Sequence, residues 1–249
     1  MFKFVESPNL PDSKVKVAAV GEDYVDVLKK ALEQYGIKLL SSPKNPFVDK
    51  RLRSHIDLSV FHIVENHFLL AKHLGESNFA EELKRQGAEL TVSNVEMHPT
   101  YPNDARLCAL NIGGSVFHNL KTSDPYIKSL FSGEILHVNQ GYSKCIVCPV
   151  TKGAAISSDS GITRAMRELG FDVLEITPGY IELEGFSEGF IGGSAFKLSQ
   201  DMLAFTGTLD EHPDKFKIND FLKKHGVIPV YLTERPIFDV GSIVPIIEE

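Results

Sequence analysis

Cys145 and Cys148, in the run Lys-Cys-Ile-Val-Cys-Pro, are the residues from which nucleophilic or metal chemistry would start. A CxxC redox pair draws its reactivity from a helix N-terminus, and a zinc site built on such a pair needs a second ligand pair elsewhere. The run reads as a strand, and the third cysteine, Cys108, stands alone. No metal site and no cofactor are therefore expected. On a strand, side chains three apart point to opposite faces, so one thiol at most looks into a shared cavity. Two readings stay open: both thiols are small buried apolar groups, or Cys145, flanked by Lys144, is a nucleophile.

Acidic and basic partners for such a thiol are scattered. Asp159 closes Ala-Ala-Ile-Ser-Ser-Asp at a strand's carboxyl end, where it either caps the following helix or serves as a catalytic acid. Asp57 in His-Ile-Asp-Leu-Ser-Val-Phe-His and Asp239 in Asp-Val-Gly-Ser-Ile-Val-Pro occupy related contexts. Two carboxylates facing one another suit a cation such as a guanidinium, through charge-assisted bidentate hydrogen bonds; each equally suits a turn. His212, between Asp210 and Asp214, is either a general acid or base near neutral pH or a solvated turn residue. The stretch Pro-Gly-Tyr-Ile-Glu-Leu-Glu-Gly-Phe-Ser-Glu-Gly-Phe-Ile-Gly-Gly, residues 178–193, reads as a loop lining a site. Its glycines lack the spacing of a dinucleotide fingerprint. No GxxxxGK[ST], GxSxG or HExxH occurs either.

The elements that must position these groups repeat. Five amphipathic stretches run into a glycine and then an apolar strand: Asp23–Tyr35 before Gly36, Phe79–Gln86 before Gly87, Asp124–Ser132 before Gly133, Ser160–Leu169 before Gly170, and Lys217–His225 before Gly226. In the fourth, Ile162, Met166 and Leu169 share one helical face and Gly170 supplies a left-handed stop. Between these units, His-Ile-Asp-Leu-Ser-Val-Phe-His (55–62), Asn-Ile-Gly-Gly-Ser-Val-Phe-His (111–118) and Phe-Ile-Gly-Gly-Ser-Ala-Phe-Lys (190–197) resemble one another, with Asp-Val-Gly-Ser-Ile-Val-Pro as a last copy and Gly-Tyr-Ser-Lys-Cys-Ile-Val-Cys-Pro-Val as a glycine-poor one. Self-similarity at a period of this kind fixes an architecture before any single motif does. Paired glycines at a strand start allow close backbone approach, which a fivefold ring requires near its axis. On that alignment Gly114, Ser115, Gly193, Ser194 and Ser242 join Asp57 and Asp239 as axial ligand-binding candidates, and His62, His118 and Lys197 fall at equivalent positions.

A ring of about five strand-rich units, each with one helix and a Gly-Gly-Ser-like element before a strand, resembles the pentein superfamily of guanidino-group-modifying α/β-propellers. The resemblance implies a pseudo-fivefold α/β-propeller over residues 1–249, with a short irregular segment at 1–14. It also implies a covalent reaction in which a thiolate attacks an amidine or guanidine carbon while histidine and carboxylates manage protons and charge. The family places its cysteine shortly after a Gly-Ser element in the last repeat. Here that stretch is Gly241-Ser242-Ile243-Val244-Pro245, so proline stands where the nucleophile belongs. Two functional readings follow: a hydrolase or transferase with a displaced site (Cys145, Asp159, His212), or a catalytically silent propeller that binds a small ligand or protein.

Composition bounds the alternatives. The chain has 249 residues, 43% of them hydrophobic and 24% charged, enough apolar content for a substantial core. A formal charge of -7 without a basic cluster argues against a nucleic-acid partner. No apolar run approaches the roughly 20 residues that span a bilayer, and Pro8 and Pro11 interrupt the first residues before any signal-like segment develops. Three cysteines fit reduced thiols. The expectation is a cytoplasmic protein with a small-molecule ligand and neither membrane nor nucleic-acid partner.

Overall fold

A computed structural model describes residues 2–249. The chain opens with β1 (Lys3–Phe4), β2 (Val15–Gly21), α1 (Val25–Glu33) and β3 (Lys38–Ser42). The next unit is β4 (Val60–Val64), β5 (His67–Leu70), α2 (Asn78–Arg85) and β6 (Glu89–Val92). It is followed by β7 (Leu110–Ile112), β8 (Ser115–His118), α3 (Pro125–Leu130) and β9 (Glu134–His137). A single helical turn, α4 (Ser143–Ile146), leads into β10 (Val147–Thr151), β11 (Ala154–Ser157), α5 (Ser160–Glu168) and β12 (Asp172–Glu175). The last complete unit is β13 (Ala195–Ser199), β14 (Met202–Phe205), α6 (Lys215–Lys224) and β15 (Ile228–Tyr231). The final strand, β16 (Val244–Glu248), returns to the first sheet, whose order is β1-β16-β2-β3.

Each unit therefore pairs two antiparallel strands, then crosses through a helix to a third strand parallel to the second. In the first sheet the two ends of the chain share this work, with Val244 opposite Ala19 and Val17 opposite Lys38. That arrangement explains why strands such as Val-Lys-Val-Ala-Ala-Val are apolar nearly throughout: they are covered on both faces. Along β2, Val17 and Ala19 pack with Val60 and Phe68 of the second sheet, whereas Val15, Ala18 and Val20 pack with Phe196 and Leu198 of the fifth. Three further apolar clusters join the second sheet to the third, the third to the fourth, and the fourth to the fifth. Five sheets linked by five such clusters close a ring.

The helix signals hold locally. Asp159 accepts a hydrogen bond from the Ile162 amide at 2.8 Å, Ile162 and Met166 are buried, and Gly170 ends the helix at a φ of 85°. Gly36, Gly87 and Gly226 are left-handed in the same way. Gly133 is the exception: α3 stops two residues earlier at an extended Phe131, and Gly133 is instead packed against the Gly114 carbonyl.

Two sequence expectations are corrected. Gly113 and Gly114 form the tight turn between β7 and β8, with φ of 59° and 82°, so Ser115 opens the second strand of its sheet and not the first. A turn with two positive φ angles matches the strand twist, which is why Gly-Gly sits there. His118 therefore lies on a second strand, whereas His62 and Lys197 lie on first strands, and the three are not equivalent. Cys145 lies in the turn of α4, not in a strand, and only Cys148 is in β10.

Candidate active site

The segments that precede the first strand of each sheet meet at the axis. Their backbones are linked in order: Lys144 N donates to Cys108 O at 3.0 Å, Gly193 N to Cys145 O at 2.8 Å, Ser242 N to Gly193 O at 3.0 Å, and Asp57 N to Gly241 O at 3.2 Å. The second and third units are joined instead between strands, the Asn111 amide of β7 donating to His62 O and Ile63 O of β4 at 3.2 and 2.7 Å. Four of the segments contribute side chains to a small common volume (His55 and Asp57, Cys108, Lys144 and Cys145, Asp239 and Ser242), and the fifth contributes the Gly192 carbonyl. Glycine is required where two of them approach: a Cβ on Gly193 would fall inside the Asp239 carboxylate.

Asp57 is the centre of this volume. It is 2% exposed, and its Oδ2 accepts from Cys145 Sγ at 2.8 Å and from the Ser242 hydroxyl at 2.7 Å. Its Oδ1 has no hydrogen-bond partner among the described residues. Lys144 Nζ donates to the Ser242 hydroxyl at 3.1 Å and to Gly192 O at 3.2 Å, a buried ammonium one hydroxyl away from the carboxylate. Burial pushes the Asp57 carboxyl above its ordinary value, opposed in part by His55 and reinforced by Asp239. Burial likewise holds the Cys145 thiol well above the usual thiol value, helped by Cys108, whose sulfur is 3.4 Å away, and by Asp57. The resting thiol keeps its proton and donates a hydrogen bond to Asp57 Oδ2.

Ser242 holds its place at a cost. Its φ of 74° lies in the left-handed region that a serine rarely adopts, and such a residue persists only where its surroundings over-determine it. Here the hydroxyl bridges Lys144 and Asp57, which supplies that determination.

His55, Asp57 and Cys145 bring one potential ligand atom each within 4.8 Å of one another, all three buried. Tyr24 reaches His55 Nε2 with its hydroxyl at 3.4 Å, and burial raises the Tyr24 phenol above its usual value. A cavity of about 100 Å³ lies against this group, lined by His55, Tyr142, Cys145 and Asp239 with apolar walls from Leu58 and Phe190. Leu183, Phe186 and Asp239 separate it from an outer cleft of about 770 Å³ that carries Asp23, Tyr24, Glu182, Glu184 and Glu211. The loop over both is fastened by Arg51, which stacks on Phe186 at 4.0 Å and donates to Gly185 O at 2.5 Å.

The sequence-derived site residues divide. Cys145, Asp57, Ser242, Gly193 and Asp239 are brought to the axis; Asp239 accepts from Gly241 N and Phe190 N at 2.8 and 2.9 Å. Ser194 is adjacent but turned to the loop, donating to Phe190 O at 2.8 Å. Asp159 caps α5 and accepts from Gln140 at 3.0 Å, with no hydrogen bond to the axial group. His212 accepts from Asp214 N at 3.1 Å in the turn before α6, and burial lowers its pKa. Gly114 and Ser115 stand at the hairpin turn described above. His62 stacks on Phe68 at 4.3 Å with its pKa pushed down to about 4, a buried neutral imidazole. Sequence reasoning missed His55, Cys108, Tyr24 and Tyr142. The usable signal for the first two was position: each stands within five residues before the first strand of its sheet.

Residues 19–244 match the family of unknown function DUF6873, and the chain belongs to that family. Its fold is that of the pentein superfamily. An inosamine-phosphate amidinotransferase of Streptomyces griseus matches with a TM-score of 0.58 at 11% identity over 98% of this chain and 97% of its own. SxtG, an amidinotransferase of the saxitoxin pathway of Microseira wollei, matches at 0.54 and 12% over 95% and 96%. The DDAH of Pseudomonas aeruginosa in complex with citrulline matches at 0.54 and 8% over 88% and 92%. No curated protein matches the chain by sequence. No helix among the described residues is long and apolar enough to cross a membrane.

Proposed function

We propose that this protein acts on the carbon–nitrogen bond of a small amidine or guanidine, with Cys145 as the nucleophile. The observation that carries the reading is the Cys145 thiol, 2.8 Å from the buried Asp57 carboxylate, at the wall of a cavity that also presents Asp239 and His55. A planar cation entering that cavity meets the Asp239 and Glu188 carboxylates of its lining, with Asp57 behind Cys145, and the acidic outer cleft gives its tail an entry path. The bound charge also changes the thiol. A cation beside Cys145 favours its ionised form, offsetting the burial that keeps the resting group neutral. Proton transfer from Cys145 to Asp57, attack of sulfur on the amidine carbon, and return of the proton to the departing amine complete the first half. Water or an acceptor amine then attacks the carbon of the resulting thiouronium (from a guanidine) or thioimidate (from an amidine), expels the sulfur and returns a proton to it, restoring the thiol. Distant structural kinship with amidinotransferases is consistent with this chemistry, while Pro245, paired with Ala18 in β16, offers none.

A second reading, binding of the same cation without chemistry, is favoured by the elevated Cys145 thiol and the modest cavity. Alkylation by chloroacetamidine, a cation, and by neutral chloroacetamide of the same size separates the two. Mass spectrometry should find Cys145 modified at least about tenfold faster by the amidine, a preference equivalent to ~1.4 kcal/mol. Equal rates would remove the covalent proposal, and thermal stabilisation by agmatine without turnover would then favour binding alone.

A further inference from the structure

We infer that the axial cluster of His55, Asp57 and Cys145 is a binding site for a soft divalent cation, zinc by the chemistry of its donors. Sulfur, imidazole nitrogen and carboxylate oxygen are the three atom types that zinc takes in proteins. Around a tetrahedral zinc such atoms lie roughly 3.3–3.8 Å apart, given metal–ligand distances of about 2.0–2.3 Å. The three residues already hold theirs within 4.8 Å of one another, and a metal would displace the thiol proton that now bonds Asp57 Oδ2.

A second, independent feature points to a ligand. Asp57 Oδ1 is buried and has no hydrogen-bond partner among the described residues, although Oδ2 of the same carboxylate accepts two bonds. A buried polar atom left unpaired is costly, so the free oxygen marks a place for a cation. Ser242 would keep Oδ2 oriented and the Tyr24 hydroxyl would hold the imidazole, the outer support that metal ligands commonly have. The charges also close: one thiolate and one carboxylate with a neutral imidazole balance a divalent ion. Lys144, a neighbouring cation, is turned to Gly192 O and Ser242. Three protein ligands leave a fourth position open toward the cavity of about 100 Å³, large enough for a water or a small anion. Cys108 Sγ is 3.4 Å from Cys145 Sγ but falls outside the group whose atoms are mutually close, so it is a neighbour and not a ligand.

The site stands on this geometry whether or not Cys145 performs chemistry. If it does, metal and substrate exclude one another, because the same sulfur cannot be both ligand and nucleophile. Zinc would then silence the amidine reaction until removed.

Cobalt titration of the metal-free, reduced protein tests the site. One equivalent should bind with a thiolate-to-cobalt charge-transfer absorption and intense visible bands of a tetrahedral centre, and zinc should bleach both. Asp57→Asn and Cys145→Ser should each weaken zinc binding by on the order of a hundredfold or more, since losing a group that merely orients a ligand costs ~10–100-fold. Cys108→Ser should leave the spectrum unchanged. The inference is overturned if wild-type protein shows no charge-transfer band, or if both ligand variants, folded by circular dichroism, keep wild-type zinc affinity. Zinc binding with no preference for chloroacetamidine would remove the amidine proposal and leave this one standing; the preference without metal binding would do the reverse.

Discussion

Replacing Asp57 with asparagine should stabilise this protein at high pH and abolish ligand binding. The carboxylate is buried, and only one of its oxygens is hydrogen-bonded, to Cys145 and Ser242. An asparagine oxygen can accept the same two bonds. Bonds to a charged acceptor contribute about 1.5–3 kcal/mol and neutral ones about 0.5–1.5, so the exchange loses roughly 2 kcal/mol in all. Against that, keeping an ion in the interior costs several kcal/mol even after relaxation. The balance is a gain on the order of 1–3 kcal/mol. For a chain of this size each kcal/mol moves the melting temperature by about 2–4 °C, so the variant should melt roughly 2–12 °C higher at pH 8. The sign depends on pH. Burial raises the folded-state pKa of Asp57, so between the unfolded value of about 3.9 and the folded value the native state binds the extra proton. The wild type therefore loses stability as pH rises through that interval, whereas below about pH 4 the protonated carboxyl and the amide become equivalent. Thermal unfolding of both proteins at pH 4 and pH 8 checks this. A variant less stable than wild type at pH 8, or a gain of equal size at both pH values, refutes the reasoning. Agmatine-induced stabilisation should disappear in Asp57→Asn even as the protein itself becomes more robust, since functional sites commonly sacrifice stability.

Other outcomes follow from the same geometry. Gly193→Ala drives a methyl group into the Asp239 carboxylate and should destabilise by roughly 1–3 kcal/mol or more, read by urea denaturation. Ser242→Ala should lose about 1–3 kcal/mol by stripping Lys144 and Asp57 of their shared hydroxyl, while Ser242→Gly should be about 1 kcal/mol more stable than the alanine because glycine accepts a φ of 74°. Asp159→Ala removes the α5 cap and should cost about 1 kcal/mol while leaving the rate of Cys145 alkylation unaltered; a changed rate would return Asp159 to the site.

Much of the frame was legible in the chain. Periodicity places the five crossover helices, α1, α2, α3, α5 and α6, within a few residues of their observed bounds, and Gly36, Gly87, Gly170 and Gly226 stop theirs in the left-handed conformation expected of a glycine stop. The third unit was the hardest to read because Asn-Ile-Gly-Gly-Ser-Val-Phe-His mimics the axial copies by composition. Its glycines answer a different demand, the twist of a two-residue hairpin, and the true axial segment of that unit, Leu107–Ala109, has no glycine at all. The candidate site was legible where a residue stood just before a first strand, as with Asp57 and Asp239. It was illegible for Asp159 and His212, whose types suit catalysis but whose partners are local: an α5 amide and the Asp214 amide.

Sequence alone determined the repeating unit, the places where helices stop, and the absence of a nucleophile at Pro245, because these depend on contacts spanning only a few residues. Tertiary structure decided which side chains meet. Asp57 and Ser242 are 185 positions apart, and Cys145 and Asp57 are 88 apart, so ring closure alone makes each pair neighbours. It also decided their chemistry, since the elevated thiol and carboxyl arise from burial that no local pattern of residues encodes.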